Sequence, residues 1–164
     1  MALPHPDDSA RNRLVASARH LFTTGSYGSV GVQELCEHAD VRRGSFYYHF
    51  ESKQGLALAA LDAEWEDQRG SVFEPAFGGD RAPIDAFETY QHLLHEYHAR
   101  RLDEVAVFGG CLIVGLAQEL APIDPVIRDR AAGYCSAGAA YFEAALEAAV
   151  RDGSLAETDT AAAS

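Results

Sequence analysis

Between Arg42 and Lys53 the chain reads RRGSFYYHFESK, which brings two guanidinium groups, hydroxyls, an imidazole and an ammonium within about three helical turns. Groups of this kind hold phosphate oxygens and hydrogen-bond base edges. Phe46 and Phe50 are four apart and share one helical face. Arg43, Ser45, Tyr47, Tyr48 and His49 are left for the rest of the surface. A short helix packed through one face, with cations and hydrogen-bonding groups elsewhere, suits insertion into the major groove of DNA. Just upstream, Val32, Leu35 and Cys36 fall at i, i+3 and i+4, the pattern of a short amphipathic helix. Ala39-Asp40-Val41 interrupts that pattern, so the stretch Val32–Lys53 reads as helix, tight turn, helix and the start of another.

Other reactive residues are fewer. Cys36, Cys111 and Cys135 are an odd number without motif spacing, and read as reduced thiols of a cytoplasmic protein. A reactive thiol needs a depressed pKa, from a helix N-terminus or a nearby cation, and Cys111 stands near a possible helix start. His92, His95 and His98 lie at i, i+3 and i+6, which spreads them around a helix, and no cysteine or acidic cluster completes a metal-ligand set. No nucleophile stands in an elbow or triad context. The expectation is a protein without metal, cofactor or catalytic centre.

The elements that must position these residues are helices. Alanine is abundant among the 164 residues, proline is scarce, and no apolar run reaches the length of a membrane span. The N-terminus lacks the apolar core of a signal peptide. A first helix is predicted from about Asp8 to Thr24, buried through Leu14, Ala18, Leu21 and Phe22 and stopped at Gly25. A helix capped by Ser52 runs to about Gly70. Phe73 to Gly79 reads as a loop. Pro83 opens a further helix with Ile84, Phe87, Tyr90, Gln91, Leu94 and either Tyr97 or His98 on its apolar side. Asp124-Pro125 is a cap followed by an N1 proline, and predicts a helix to Arg151 stopped at Gly153, buried through Ile127, Ala131, Tyr134, Tyr141, Phe142, Ala145 and Leu146.

The net charge of −12 is unevenly placed. Residues 1–53 carry six Lys/Arg and six Asp/Glu, while the remainder carries seven basic and nineteen acidic residues. An acidic body repelled by phosphate favours approach of DNA through the neutral N-terminal part, at the expense of nonspecific affinity.

The N-terminal third resembles the TetR family of transcriptional repressors. The match runs from Arg13-Leu14-Val15-Ala16-Ser17-Ala18-Arg19-His20-Leu21-Phe22 through Gly25 and Val32–Ala39 to Arg43-Gly44-Ser45-Phe46-Tyr47-Tyr48-His49-Phe50 and Ser52-Lys53. The resemblance implies an all-α protein: a three-helix, helix-turn-helix DNA-binding head at 1–53, joined by a shared fourth helix to a helical ligand-binding and dimerisation domain at 54–164. It implies that Arg43 and Ser45 reach base edges, that Gln33 approaches the groove, that Tyr47, His49 and Lys53 hold phosphates, and that Tyr48 does either. Arg42 departs from the small hydroxyl residue common before this helix, giving up a cap and adding a cation.

The resemblance also implies a homodimer that binds a pseudo-palindromic double-stranded operator and is released by a small-molecule effector. Trp65, Phe87, Tyr90, Tyr97, Phe108 and Tyr134 supply pocket material, with Phe73, Phe77 and Phe142 beside them. The string Gly110-Cys111-Leu112-Ile113-Val114 with Ala117-Gln118-Glu119 is similar to a subgroup whose sixth helix starts Gly-Cys-Leu, some members of which sense electrophiles through a cysteine at this position. The alternative is a redox or electrophile-binding protein without DNA binding. The chain stops where the family's last dimer-forming helices are expected.

Overall fold

The computed structural model describes residues 6–79, 81–105 and 110–155. Every element among them is helical: α1 (Pro6–Thr24), α2 (Val32–His38), α3 (Arg43–His49), α4 (Lys53–Gln68), a π-helical turn (Arg69–Phe73), α5 (Glu74–Phe77), α6 (Pro83–Val105), α7 (Leu112–Leu120) and α8 (Pro125–Arg151). The all-α class expected from composition is the class observed. Two compact units divide the chain, Met1–Asp67 with Arg101–Tyr134, and Gln68–Arg100 with Cys135–Ser164.

In the first unit α1 buries Leu14, Val15, Ala18 and Phe22, with Leu21 half-buried. Gly25 ends the helix by donating its N–H to the Leu21 carbonyl at 2.9 Å. Ser17 is buried on the same face and donates its hydroxyl to the Leu35 carbonyl of α2 at 3.0 Å, so no polar group is stranded there. Arg19 ties α1 to α4. Its Nε donates to Glu64 Oε2 at 2.9 Å and its Nη2 to Asp67 Oδ2 at 2.8 Å. Glu64 is a buried carboxylate, so the Arg19 guanidinium offsets part of the cost of burying its charge. Ser52 caps α4 by accepting the Gly55 N–H at 3.0 Å. Asp124 caps α8, accepting from Val126 and Ile127 N–H at 3.0 and 3.1 Å. At the other end of α8, Gly153 adopts the left-handed φ of 80° that stops a helix.

The second unit is organised around rings. Phe73, Phe77, Phe87, Tyr90, Tyr141 and Phe142 pack in tilted and edge-to-face pairs with centroids 4.8 to 6.2 Å apart.

Three expectations are corrected. Phe73–Gly79 is helical over most of its length rather than a loop, because the π turn carries the chain on from α4 and Pro75 is tolerated near the start of α5. The π turn brings residues five apart together: the Glu74 N–H donates to the Arg69 carbonyl, and the Arg69 guanidinium pairs with the Glu74 carboxylate. Leu146 and Ile84 were placed on buried stripes and are exposed, at 44% and 40%. Near the end of α8 the buried position is Ala149 instead, one turn further along the face that carries Ala145. On α6 the buried positions are Ala86 and Tyr97.

Candidate nucleic-acid interface

Two short helices and the turn between them build the candidate site. Asp40 takes φ of 50°, the one left-handed non-glycine residue among those described, and Asp tolerates it because a short polar side chain avoids the clash that a branched one meets. The Val41 N–H then donates to the Cys36 carbonyl at 2.9 Å, closing the turn. Arg13 of α1 holds the turn from below: its Nε donates to the Ala39 carbonyl at 3.0 Å and its Nη2 to the Asp40 carbonyl at 3.3 Å. A guanidinium shared between two carbonyls in a row fixes the angle at which α3 leaves α2.

α3 starts at Arg43, with Arg42 in extended backbone at the cap position and no side-chain cap. Phe46 is fully buried and Phe50 nearly so, and their rings pack at 6.0 Å. This pins one face of the helix. The opposite face is open: Tyr48 is 74% exposed, Tyr47 51%, and Arg42 and Arg43 are exposed beside them. The Arg43 guanidinium stands 5.9 Å from the Tyr47 ring, and a hydrogen bond with the Tyr47 hydroxyl raises its pKa further, keeping it charged. A Cβ on Gly44 would meet nothing, so no neighbouring atom covers this stretch of backbone.

The remaining expected DNA contacts are placed differently. Ser45 is half-buried. Gln33 is exposed and spans one turn of α2 to Glu37 at 2.7 Å. His49 is half-buried, its ring edge-on to Tyr48 at 5.0 Å, and its Nε2 is a buried nitrogen without a hydrogen-bond partner. Lys53 is half-buried at the first turn of α4. Its ammonium donates to the Tyr27 carbonyl and lies 4.0 Å from the Tyr27 ring centroid. Burial lowers the Lys53 pKa, and Glu119 and Glu34 oppose that shift.

The residues expected to form an effector pocket fall in both units. Trp65, Cys111 and Tyr134 belong to the first, and Phe87, Tyr90 and Tyr97 to the second. Phe108 lies outside the described residues. Cys111 is half-buried at the residue before α7, in extended backbone, which is the helix-start position that its sequence context predicted. In the second unit a cavity of about 370 Å³ opens between Phe77, Arg81, Pro83 and Tyr141 and the alanines of α8. None of the six described pocket candidates lines it.

Two family models match the chain, one described as bacterial regulatory proteins of the tetR family over residues 14–60, the other as a tetracyclin repressor-like C-terminal domain over residues 91–164. The chain belongs to the TetR family. It is 32% identical over 117 residues to the transcriptional regulator AcuR of Cereibacter sphaeroides, which covers 70% of this chain and 51% of that protein. To the HTH-type transcriptional repressor NemR of Escherichia coli it is 27% identical over 127 residues, 76% of this chain and 60% of NemR. Among solved structures, a TetR regulatory protein from Rhodobacter sphaeroides superposes with a TM-score of 0.77 at 26% identity, covering 88% of this chain and 74% of that one. The chain spans about half to three fifths of the length of these curated relatives. The tetR model covers all of α2 and α3, so the exposed face of α3 stands where TetR-family regulators carry their helix-turn-helix.

Sequence reasoning missed the residues that hold this site in place. Arg13, Ser17 and Glu119 were read only as letters of longer strings. Their partners are backbone carbonyls, backbone N–H groups or residues far along the chain, which no local spacing reveals.

Proposed function

We propose that the chain is a ligand-responsive transcriptional repressor that binds a pseudo-palindromic operator as a homodimer. The reading head is residues 1–53, and residues 54–164 bind the effector and dimerise. The observation that carries this reading is the exposed face of α3, where Arg42, Arg43, Tyr47 and Tyr48 stand over an anchor of buried Phe46 and Phe50. Arg43 and Ser45 read base edges. Tyr47 and Lys53 hold phosphates, with Gln33, Arg42 and Tyr48 at the rim, and His49 joins them only if its ring turns outward. The effector is apolar or electrophilic. To lower operator affinity a hundredfold, it must bind the released conformation better by about 2.7 kcal/mol.

Selection of duplexes from a random pool by the full chain tests the reading. An enriched pseudo-palindrome is expected. Arg43→Ala should lose about tenfold on that duplex and much less on scrambled DNA. Failure to enrich any sequence, or equal loss on both duplexes, would overturn it. Release of the duplex by a quinone, abolished in Cys111→Ser, would mark the effector as electrophilic.

A further inference from the structure

Lys53 does not stand free at the start of α4. Its ammonium donates to the carbonyl oxygen of Tyr27, in the loop between α1 and α2, and sits over the ring of the same residue, 4.0 Å from its centroid. An ammonium has three N–H donors, so the two others remain for a phosphate. The carbonyl that holds it belongs to the peptide unit joining Tyr27 to Gly28. That unit is planar and trans, with its C=O and N–H pointing in opposite directions. On its far side the Gly28 N–H donates to Glu119 Oε1 at 2.6 Å, and the Tyr27 N–H donates to Glu119 Oε2 at 2.7 Å. Both oxygens of one carboxylate, on the last turn of α7, are therefore spent on this one turn of loop. A Cβ at Gly28 would stand 3.1 Å from Glu119 Oε1, close enough that the carboxylate would have to shift by a few tenths of an ångström.

We propose that Glu119 is a positioning residue for DNA binding: by fixing the plane of the Tyr27–Gly28 peptide it sets where the Lys53 ammonium stands, and so makes phosphate holding depend on the register of α7. The proposal rests on the reading of Lys53 as a phosphate contact. α7 packs against α1 within the same unit, and a shift of α7 along its axis withdraws the carboxylate, frees the peptide to rotate and releases the carbonyl that aims the ammonium. The helix that begins at Cys111 is thus mechanically connected to a cation of the head without any side chain of α7 touching DNA.

The sign of the effect separates this role from simple electrostatics. Removing an acidic charge near a DNA-binding surface strengthens attraction to phosphate. Removing a positioning carboxylate weakens binding and takes one phosphate out of the salt dependence. The full chain and its Glu119→Ala, Lys53→Ala and doubly substituted variants are titrated with a duplex selected by the unsubstituted chain, over a range of salt concentrations. Lys53→Ala flattens the slope of log K against log salt by about one unit. Glu119→Ala is expected to flatten it by about the same amount, and the double variant no further than Lys53→Ala alone. A slope that stays the same or steepens in Glu119→Ala, while Lys53→Ala flattens it, overturns the positioning role and leaves DNA binding intact. An unchanged slope in Lys53→Ala, or no selected duplex at all, removes the phosphate contact and the inference with it. Helical content by circular dichroism checks the fold of each variant. Should Glu119→Ala not fold, Glu119→Gln carries the test, since its amide nitrogen cannot accept one of the two backbone N–H groups and should flatten the slope in the same direction.

Discussion

The Trp65 indole lies flat against the Tyr134 ring, with centroids 5.5 Å apart and planes 16° from parallel. The Tyr134 hydroxyl donates to Asp62 Oδ1, and the Arg130 guanidinium donates to the same oxygen. One carboxylate and one ring pair thus join α4 to the first part of α8. The two contributions separate by substitution. Tyr134→Phe keeps the stack and should cost about 1 kcal/mol, the net worth of a hydrogen bond to a charged group at a partly exposed site. Tyr134→Ala loses both and should cost about 3 kcal/mol. Urea unfolding of the two variants measures the difference, and equal losses would show that the stack contributes nothing.

Asp124 offers a pH-dependent prediction. Its pKa is lowered chiefly by the side-chain hydrogen bond from Gln54, at 2.6 Å, and then by the N–H groups of Ile127 and Val126. A carboxyl whose folded pKa lies below its unfolded value contributes stability above the unfolded value and loses it as pH falls through the folded one. Asp124→Ala should therefore be less stable than the unsubstituted chain by about 1 kcal/mol at neutral pH. The two should converge as pH falls below about 3.9. Thermal unfolding at falling pH follows the gap, and a gap that does not narrow below about pH 3.9 would mean the cap acts without its charge.

The three thiols should react in a fixed order. Cys135 is exposed, Cys111 half-buried and Cys36 buried. Burial also raises the Cys36 pKa, so less of it is thiolate at any pH near neutrality. Alkylation by iodoacetamide at pH 8, followed by peptide mass spectrometry, should label Cys135 first and Cys36 last, with the difference abolished in denaturant. Labelling of Cys111 ahead of Cys135 would show an activated thiol, because access alone favours Cys135.

The reach of the sequence differs from element to element. The bounds of α2, α3 and α8 follow closely from local signals: the i, i+3, i+4 set at Val32, Leu35 and Cys36, the Phe46–Phe50 pair, and the Asp124-Pro125 start with Gly153 at the end. Each of these signals acts within one or two turns. The helical path through Phe73–Phe77 was hidden because its cause is tertiary, a set of rings on α6 and α8 that draws Phe73 and Phe77 inward. The candidate site divides in the same way. The exposed face of α3 is visible in the order of its residues, whereas Arg13 under the turn and Glu119 behind the Tyr27 loop act across 26 and 92 positions of chain. Such contacts leave no period in the sequence.

Asp40 carries a consequence for how this head tolerates change. Its side chain fills no core, yet the turn that aims α3 depends on its left-handed backbone. The filter on this position is therefore one of handedness and not of hydrophobicity. Glycine and asparagine pass it readily, while valine or isoleucine meets a penalty of about 1–2 kcal/mol before any contact is lost. On the proposed reading, drift along the exposed face of α3 retunes which bases are read for as long as a single backbone dihedral angle forty residues into the chain keeps its sign.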